Sequence, residues 1–148
     1  MPGCVRFART VRTAIDTNIL SALWSGEESV ERVTAALNAA GDRGGLVICP
    51  LVYAELRGSP RATASFVDDF LDQMEIMVDW ICGKDVWLLA AERYAKYAVR
   101  KRKQGMGEPK RLLADFVVGA HALLRADQLL TLDKRLYRRD FEELLLNP

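Results

Sequence analysis

The sequence predicts an α/β fold: a parallel sheet of four to five strands with helices on both faces. Three observations predict it. Short strand-like segments recur at residues 11–16, 46–49, 76–78 and 129–132, each with an apolar stretch such as Ala14-Ile15 or Leu129-Leu130. The stretches between them carry apolar residues at helical spacing. One of the strand-like segments, Leu46-Val47-Ile48-Cys49, is continuously apolar, which is the pattern of a strand covered on both sides.

The elements follow in order. Residues 1–10 read as a loosely held lead-in, and residues 1–148 as one domain, a length that suits a single core. Strand one spans 11–16. A short helix covers about 18–24, before a Ser25-Gly26 break. A second helix covers about 27–40, with Val30, Val33, Leu37 and Ala40 on one stripe; Gly41, Gly44 and Gly45 punctuate its end. After strand two, Pro50 opens a third helix running to Gly58. Pro60 opens a fourth, with Phe66, Phe70 and Met74 on one face. Strand three is 76–78. A long helix covers about 84–103 and another about 111–125, separated by a Gly- and Pro-containing loop at 104–109. Strand four is 129–132, residues 134–140 read as a charged turn, and Leu144-Leu145-Leu146 offers a last strand.

Composition limits the partners. There are 21 Lys+Arg against 20 Asp+Glu, a net charge of +1, so bulk charge gives no argument for nucleic acid and only local clusters can. Cys4, Cys49 and Cys82 are far apart and make no zinc spacing; reduced thiols are expected. No apolar run approaches the roughly 18–20 residues of a membrane span. Arg6, Arg9 and Arg12 have no apolar segment behind them, so a cytoplasmic protein is expected.

In a parallel sheet, ligands gather at the carboxyl ends of the strands. Four acids fall on that edge. Asp16 closes strand one. Glu55 lies in the helix after strand two, Asp115 near the start of the sixth helix, and Asp133 just past strand four. Glu55 is the only charged residue between Leu46 and Leu56, and Asp115 and His121 are the only titratable residues in 112–124. A carboxylate among apolar neighbours is costly unless its charge is offset. A divalent cation would offset all four, and carboxylate oxygens suit Mg²⁺ or Mn²⁺ rather than zinc. Asp16, Thr17 and Asn18 would also serve as helix caps, Asp115 as a helix-dipole acid and Asp133 as a turn residue. Asp79 and Asp85 lie near the same edge and read as structural, as does His121.

Ile15-Asp16-Thr17-Asn18-Ile19-Leu20, Tyr53-Ala54-Glu55-Leu56, Ala114-Asp115-Phe116-Val117-Val118-Gly119-Ala120 and Leu130-Thr131-Leu132-Asp133 together resemble the PIN-domain nucleases, and most of all the VapC-type toxins of bacterial toxin–antitoxin pairs. The resemblance covers about residues 11–146. It implies a three-layer α/β/α sandwich, a Mg²⁺ or Mn²⁺ site, and RNA hydrolysis leaving 5′-phosphate and 3′-hydroxyl ends. It matches Asp16, Glu55, Asp115 and Asp133 to an acidic quartet, with Thr17 and Asn18 as supporting polar residues. It also implies a homodimer and a small antitoxin whose segment covers the cleft; Leu20, Leu23 and Trp24 are candidate contacts. The last motif departs from the family pattern: Leu132 replaces an Arg, and Tyr137 or Phe141 stands in for a Phe.

On this reading Asp16 and Asp115 hold the cation, Glu55 binds or orients the attacking water, and Asp133 completes the site. Arg100, Lys101, Lys103, Lys110 and Arg111 form a local excess of positive charge that could contact RNA phosphates, although a solvated helix end has the same composition. Lys134, Arg135, Arg138 and Arg139 form a second such cluster. An aspartyl phosphatase would need an acid where Asn18 stands. A receiver-like phospho-acceptor would need an acidic pair where strand one has Asp16 alone. A PIN-like fold that binds or processes RNA without a toxin role is the other alternative.

Overall fold

The computed structural model of the chain describes residues 9–26, 28–60, 62–105 and 113–148. Five strands are formed among the described residues: β1 (Thr13–Ile15), β2 (Leu46–Ile48), β3 (Ile76–Val78), β4 (Gln128–Leu130) and β5 (Leu146–Asn147). They make one sheet in the order β3-β2-β1-β4-β5, with every neighbouring pair parallel. All three residues of β1, β2 and β4 are buried, so both faces of the central sheet are covered. The covering helices among the described residues are α1 (Thr17–Ser25), α2 (Val30–Arg43), α3 (Pro50–Arg57), α4 (Ala64–Gln73), α5 (Lys84–Lys103), α6 (Leu113–Arg125) and α7 (Lys134–Asp140). The fold is the expected α/β/α sandwich with the sheet at five strands. None of the described helices is long and apolar enough to cross a membrane.

The strand order places the site. From β1 the chain steps outward through β2 to β3, then returns to β4 on the other side of β1. The connections therefore diverge between β1 and β4, and a crevice opens at the carboxyl ends of those two strands. Asp16 follows β1 and Thr131 follows β4, so both stand at its floor. The ladder continues onto the acid itself, whose N–H donates to the Leu130 carbonyl at 3.0 Å.

Local chemistry explains the helix starts. Asp16, in extended backbone, accepts the Thr17 N–H at 2.8 Å and caps α1. Gly26 ends that helix at φ 66°, the left-handed conformation glycine adopts without strain. Pro50 occupies the first turn of α3, where no N–H is needed. Thr63 caps α4 by accepting the Phe66 N–H at 3.2 Å, so that helix begins at Ala64 and not at Pro60.

Three other expectations are corrected. Residues 134–140 form α7, because Leu136, Tyr137 and Asp140 turn inward and anchor a turn that otherwise looks uniformly charged. The inward face of α4 centres on Val67 and Leu71, leaving Phe66 46% exposed. The last strand is Leu146–Asn147; Leu144 is in the core and Leu145 is exposed.

A second layer of packing holds α5, α6 and α7 together. Tyr94, Tyr97, Phe116, Phe141 and Tyr137 form a chain of ring contacts with centroids 5.3 to 6.3 Å apart. Gly119 is what lets Phe141 in: a Cβ there would lie 2.5 Å from the ring. Arg125 pairs with Asp85 at 2.5 Å and ties the end of α6 to the start of α5. Asp85 also accepts the Val86 N–H at 3.0 Å, the structural part expected of it.

Candidate active site

A cleft of about 360 Å³ lies at the switch point. Asp16, Thr17, Asn18, Ser21, Glu55, Asp115, Asp133, Leu136 and Tyr137 line it. The four acids and both supporting polar residues read from the sequence are therefore brought to one cavity, from the end of β1, α3, α6 and the start of α7. Ser21, Thr131 and Tyr137 complete the surroundings. Sequence reasoning gave Ser21 and Thr131 no role and offered Tyr137 only as one of two aromatics for the last motif. Phe141, the other, packs under α6.

The acids differ in setting. Asp16 is 8% exposed. Glu55 and Asp133 are exposed, and Asp115 is half-buried. Glu55 is therefore not in the apolar surroundings its sequence neighbours suggest: its helix buries Val52 and Leu56 and turns Glu55 into the cleft, and the buried carboxylate of the four is Asp16.

Asp16 sits in a dense set of donors. Its Oδ1 accepts the Thr17 N–H at 2.8 Å; its Oδ2 accepts the Thr131 hydroxyl at 2.8 Å and the Tyr137 hydroxyl at 2.9 Å, with the Asn18 amide 3.4 Å away. Asn18 also bridges to strand four: its Oδ1 accepts the Leu132 N–H at 3.0 Å, and its Nδ2 donates to Thr131 at 3.3 Å. Thr131 accepts the Asp133 N–H at 3.1 Å. On the other wall, the Thr17 hydroxyl donates to Glu55 Oε2 at 2.5 Å. Thr17 and Asn18 are therefore the connectors of the site, one to α3 and one to the chain after β4.

Electrostatics sharpen the picture. Burial raises the Asp16 carboxyl above its ordinary 3.8; hydrogen bonds from Thr131, Tyr137 and Thr17 oppose this, and the Glu55 charge adds to it. Burial also raises the Tyr137 phenol, with the Asp16 charge acting in the same direction, so the hydroxyl keeps its proton and donates. The donor set is carboxylate oxygen without imidazole or thiolate, which suits a hard cation, and a cation would relieve the Asp16–Glu55 repulsion. As the side chains lie, no three acidic, imidazole or thiol groups among the described residues stand close enough to share one ion. The residues fit such an ion in the chemistry of their donors and not in their present spacing.

A family model of the PIN domain matches residues 13–142. The chain belongs to the PIN-domain family. Solved structures agree with this PIN fold. VapBC2 from Rickettsia felis, solved bound to a DNA fragment from its promoter, matches at 20% identity and a TM-score of 0.62, covering 92% of this chain and 97% of that one. VapBC-1 from nontypeable Haemophilus influenzae matches at 26% identity and a TM-score of 0.59, covering 92% and 96%. A toxin–antitoxin complex from Klebsiella pneumoniae matches at 17% identity and a TM-score of 0.58, covering 84% and 89%. No curated protein sequence matches the chain significantly.

The remaining expectations fall around this PIN site. Arg100 is half-buried and pairs with Asp140 at 2.8 Å. Lys101 lies 5.7 Å from the centre of the Tyr97 ring. Lys103 is exposed at the end of α5, and Lys110 and Arg111 lie outside the described residues. Leu20 is fully buried, so it offers no surface to a partner; Leu23 and Trp24 are partly buried, and Phe66 and Phe70 pack edge-on against Trp24. Asp79 and His121, outside the cleft lining, pair with each other at 3.0 Å. That bond gives the lone histidine the structural role expected of it, with a partner that spacing could not supply.

Proposed function

We propose that this PIN domain, taking in the whole chain, is a metal-dependent endoribonuclease and the toxin of a toxin–antitoxin pair in the cytoplasm. The observation that carries the reading is the convergence of Asp16, Glu55, Asp115 and Asp133 on one cleft at the sheet's switch point. The likeness to VapBC complexes supports the toxin role.

Asp16 is the fixed anchor of the site, held by four donors at the end of the central strand. Asp115 and Asp133 would hold a Mg²⁺ or Mn²⁺ ion with it. Bound there, such an ion activates water and neutralises charge developing at phosphorus. Glu55 orients the attacking water, its own carboxylate steadied by Thr17. Asn18 holds the backbone after β4 in place and presents the cleft floor to the scissile phosphate. Lys101 and Lys103 supply backbone-phosphate affinity without sequence information. Cleavage leaves 5′-phosphate and 3′-hydroxyl ends. The protein acts as a homodimer, and an antitoxin segment blocks the cleft by packing near Leu23 and Trp24.

Cleavage of labelled RNA by the purified protein tests the chemistry. Activity should require Mg²⁺ or Mn²⁺ and vanish with chelator, and Asp16→Asn should fold normally and lose at least about 100-fold in rate. Unchanged cleavage by Asp16→Asn would end the assignment. Expression of the chain alone should arrest growth, and Asp115→Ala should relieve the arrest. Harmless expression of an active nuclease would remove the toxin role and leave the enzyme.

A further inference from the structure

The donors around Asp16 are divided unevenly between its two oxygens. Each carboxylate oxygen offers two lone pairs. Oδ1 accepts one bond, the Thr17 N–H at 2.8 Å. Oδ2 accepts two hydroxyls, from Thr131 at 2.8 Å and Tyr137 at 2.9 Å, and the Asn18 amide approaches the same oxygen at a longer 3.4 Å. Both hydroxyl protons are committed to it. Thr131 already accepts the Asp133 and Asn18 N–H groups, so its one proton goes to Asp16. Tyr137 is 1% exposed, and its hydroxyl is directed at Asp16. Oδ2 is therefore full, and Oδ1 keeps one acceptor direction.

The Tyr137 hydroxyl is also firmly placed. Its helix is anchored at the far end, where Asp140 takes the Arg100 guanidinium at 2.8 Å and the Asp140 carbonyl accepts from Arg93 at 2.9 Å. The ring itself packs on Phe141.

Resting on the metal reading of this cleft, we propose that Tyr137 is a positioning residue that restricts Asp16 to single-oxygen contact with a divalent cation, through Oδ1, and so selects small ions over large ones. Mg²⁺ takes one oxygen from a carboxylate in tight octahedral geometry. Ca²⁺ accepts both oxygens of one carboxylate in a larger, looser shell. Asp16 can offer both oxygens only by displacing a buried hydroxyl from Oδ2, which would leave that hydroxyl without a partner.

Calorimetric titration of the full chain, stripped of metal, tests this with Mg²⁺ and Ca²⁺ in separate runs. Tyr137→Phe keeps the ring and removes the hydroxyl. It should improve Ca²⁺ affinity relative to Mg²⁺ by about tenfold over the wild type. Thr131→Val removes the other hydroxyl from the same oxygen and should move the ratio the same way, which keeps the test decisive if one variant folds poorly. A purely structural role for Tyr137 would weaken both ions alike. A ratio unchanged from wild type in both variants, with Mg²⁺ still bound, overturns this inference and leaves the metal reading standing. Failure of the wild type to bind either ion overturns both.

Discussion

Arg100 and Asp140 are joined at 2.8 Å, with the carboxylate side chain 5% exposed and the guanidinium 29%. Arg93 reinforces the joint by donating to the Asp140 carbonyl at 2.9 Å and to Glu143 at 2.6 Å. A basic run whose composition suits both phosphate binding and a solvated helix end thus has one residue committed to a buried carboxylate. Arg100→Ala should lower stability by about 2 to 4 kcal/mol in denaturant unfolding, since it strands a buried carboxylate. The lower end is favoured because Arg100 Nε is buried with no hydrogen-bond partner among the described residues. Lys103→Ala should change stability by less than about 0.5 kcal/mol and flatten the salt dependence of RNA binding. Unaltered stability with weakened RNA binding in Arg100→Ala would return that residue to the phosphate rim.

The buried acid makes cation binding dependent on pH. Burial holds the folded Asp16 pKa above the ordinary 3.8, so the native state binds this proton more tightly than the unfolded chain does. The corresponding stability is full below 3.8 and is lost as pH rises through the raised value. A cation binds the ionised form. Mg²⁺ should therefore raise the Tm of the wild type above that window and leave it unchanged below. Thermal melts of wild type and Asp16→Asn across the range, with and without Mg²⁺, check this. Equal stabilisation of Asp16→Asn would remove Asp16 from the ion's contacts.

His121 should impose a slope of the opposite sign. Burial pushes its imidazole below the ordinary 6.5; the Asp79 bond opposes this, and the Arg12 and Arg125 charges reinforce it. The unfolded chain then takes up the proton first. Stability is full above 6.5 and is lost as pH falls through the folded value. Asp79 adds nothing in that window. Burial would raise its carboxyl, but the His121 bond, the Cys82 N–H and the His121 and Arg12 charges outweigh it and hold it below 3.8. His121→Gln, which can still donate to Asp79, should be free of the decline seen in the wild type just below neutrality. An identical pH profile for the two proteins would show that another group titrates there.

At Gly119 two effects compete. Alanine in a helix interior normally stabilises by about 1 kcal/mol over glycine. Here the new Cβ would stand 2.5 to 2.8 Å from three atoms of the Phe141 ring, which is fully buried and has no room to withdraw. Overpacking of this kind costs about 1 to 3 kcal/mol, so Gly119→Ala should be net destabilising. Phe141→Leu in the same chain should recover part of the loss. A Gly119→Ala protein with a raised Tm would mean that the ring moves freely.

The sheet and the acids were legible because their signals are local. Ile15-Asp16 marks an apolar run stopping at a carboxylate, and chain order alone puts Glu55, Asp115 and Asp133 on the same edge. Partnerships across the fold left no such trace. Thr131 and Tyr137 reach Asp16 from 115 and 121 residues away, which depends on the β1–β4 register. Arg100 finds Asp140 forty residues on. Leu20 and Trp24 share a short apolar helix, and only packing decides that Leu20 is wholly inside. In α7 two apolar residues among five charges were too few to mark a helix, although Leu136 and Tyr137 fix its position.

The central pair of strands is stitched at both ends by side chains. Thr13 takes the Gln128 amide at 2.8 Å at one end, and Asp16 takes the Thr131 hydroxyl at 2.8 Å at the other. Only Ala14–Ile15 and Leu129–Leu130 lie between, a span of about 10 Å from one stitch to the other. A slip of one residue would undo both stitches and turn Ile15 toward the opposite face. The anchoring acid is thus located by the sheet and not by the loops around it. Those loops can change length and sequence, and so change which substrate is admitted, while the acid at the floor stays where it is.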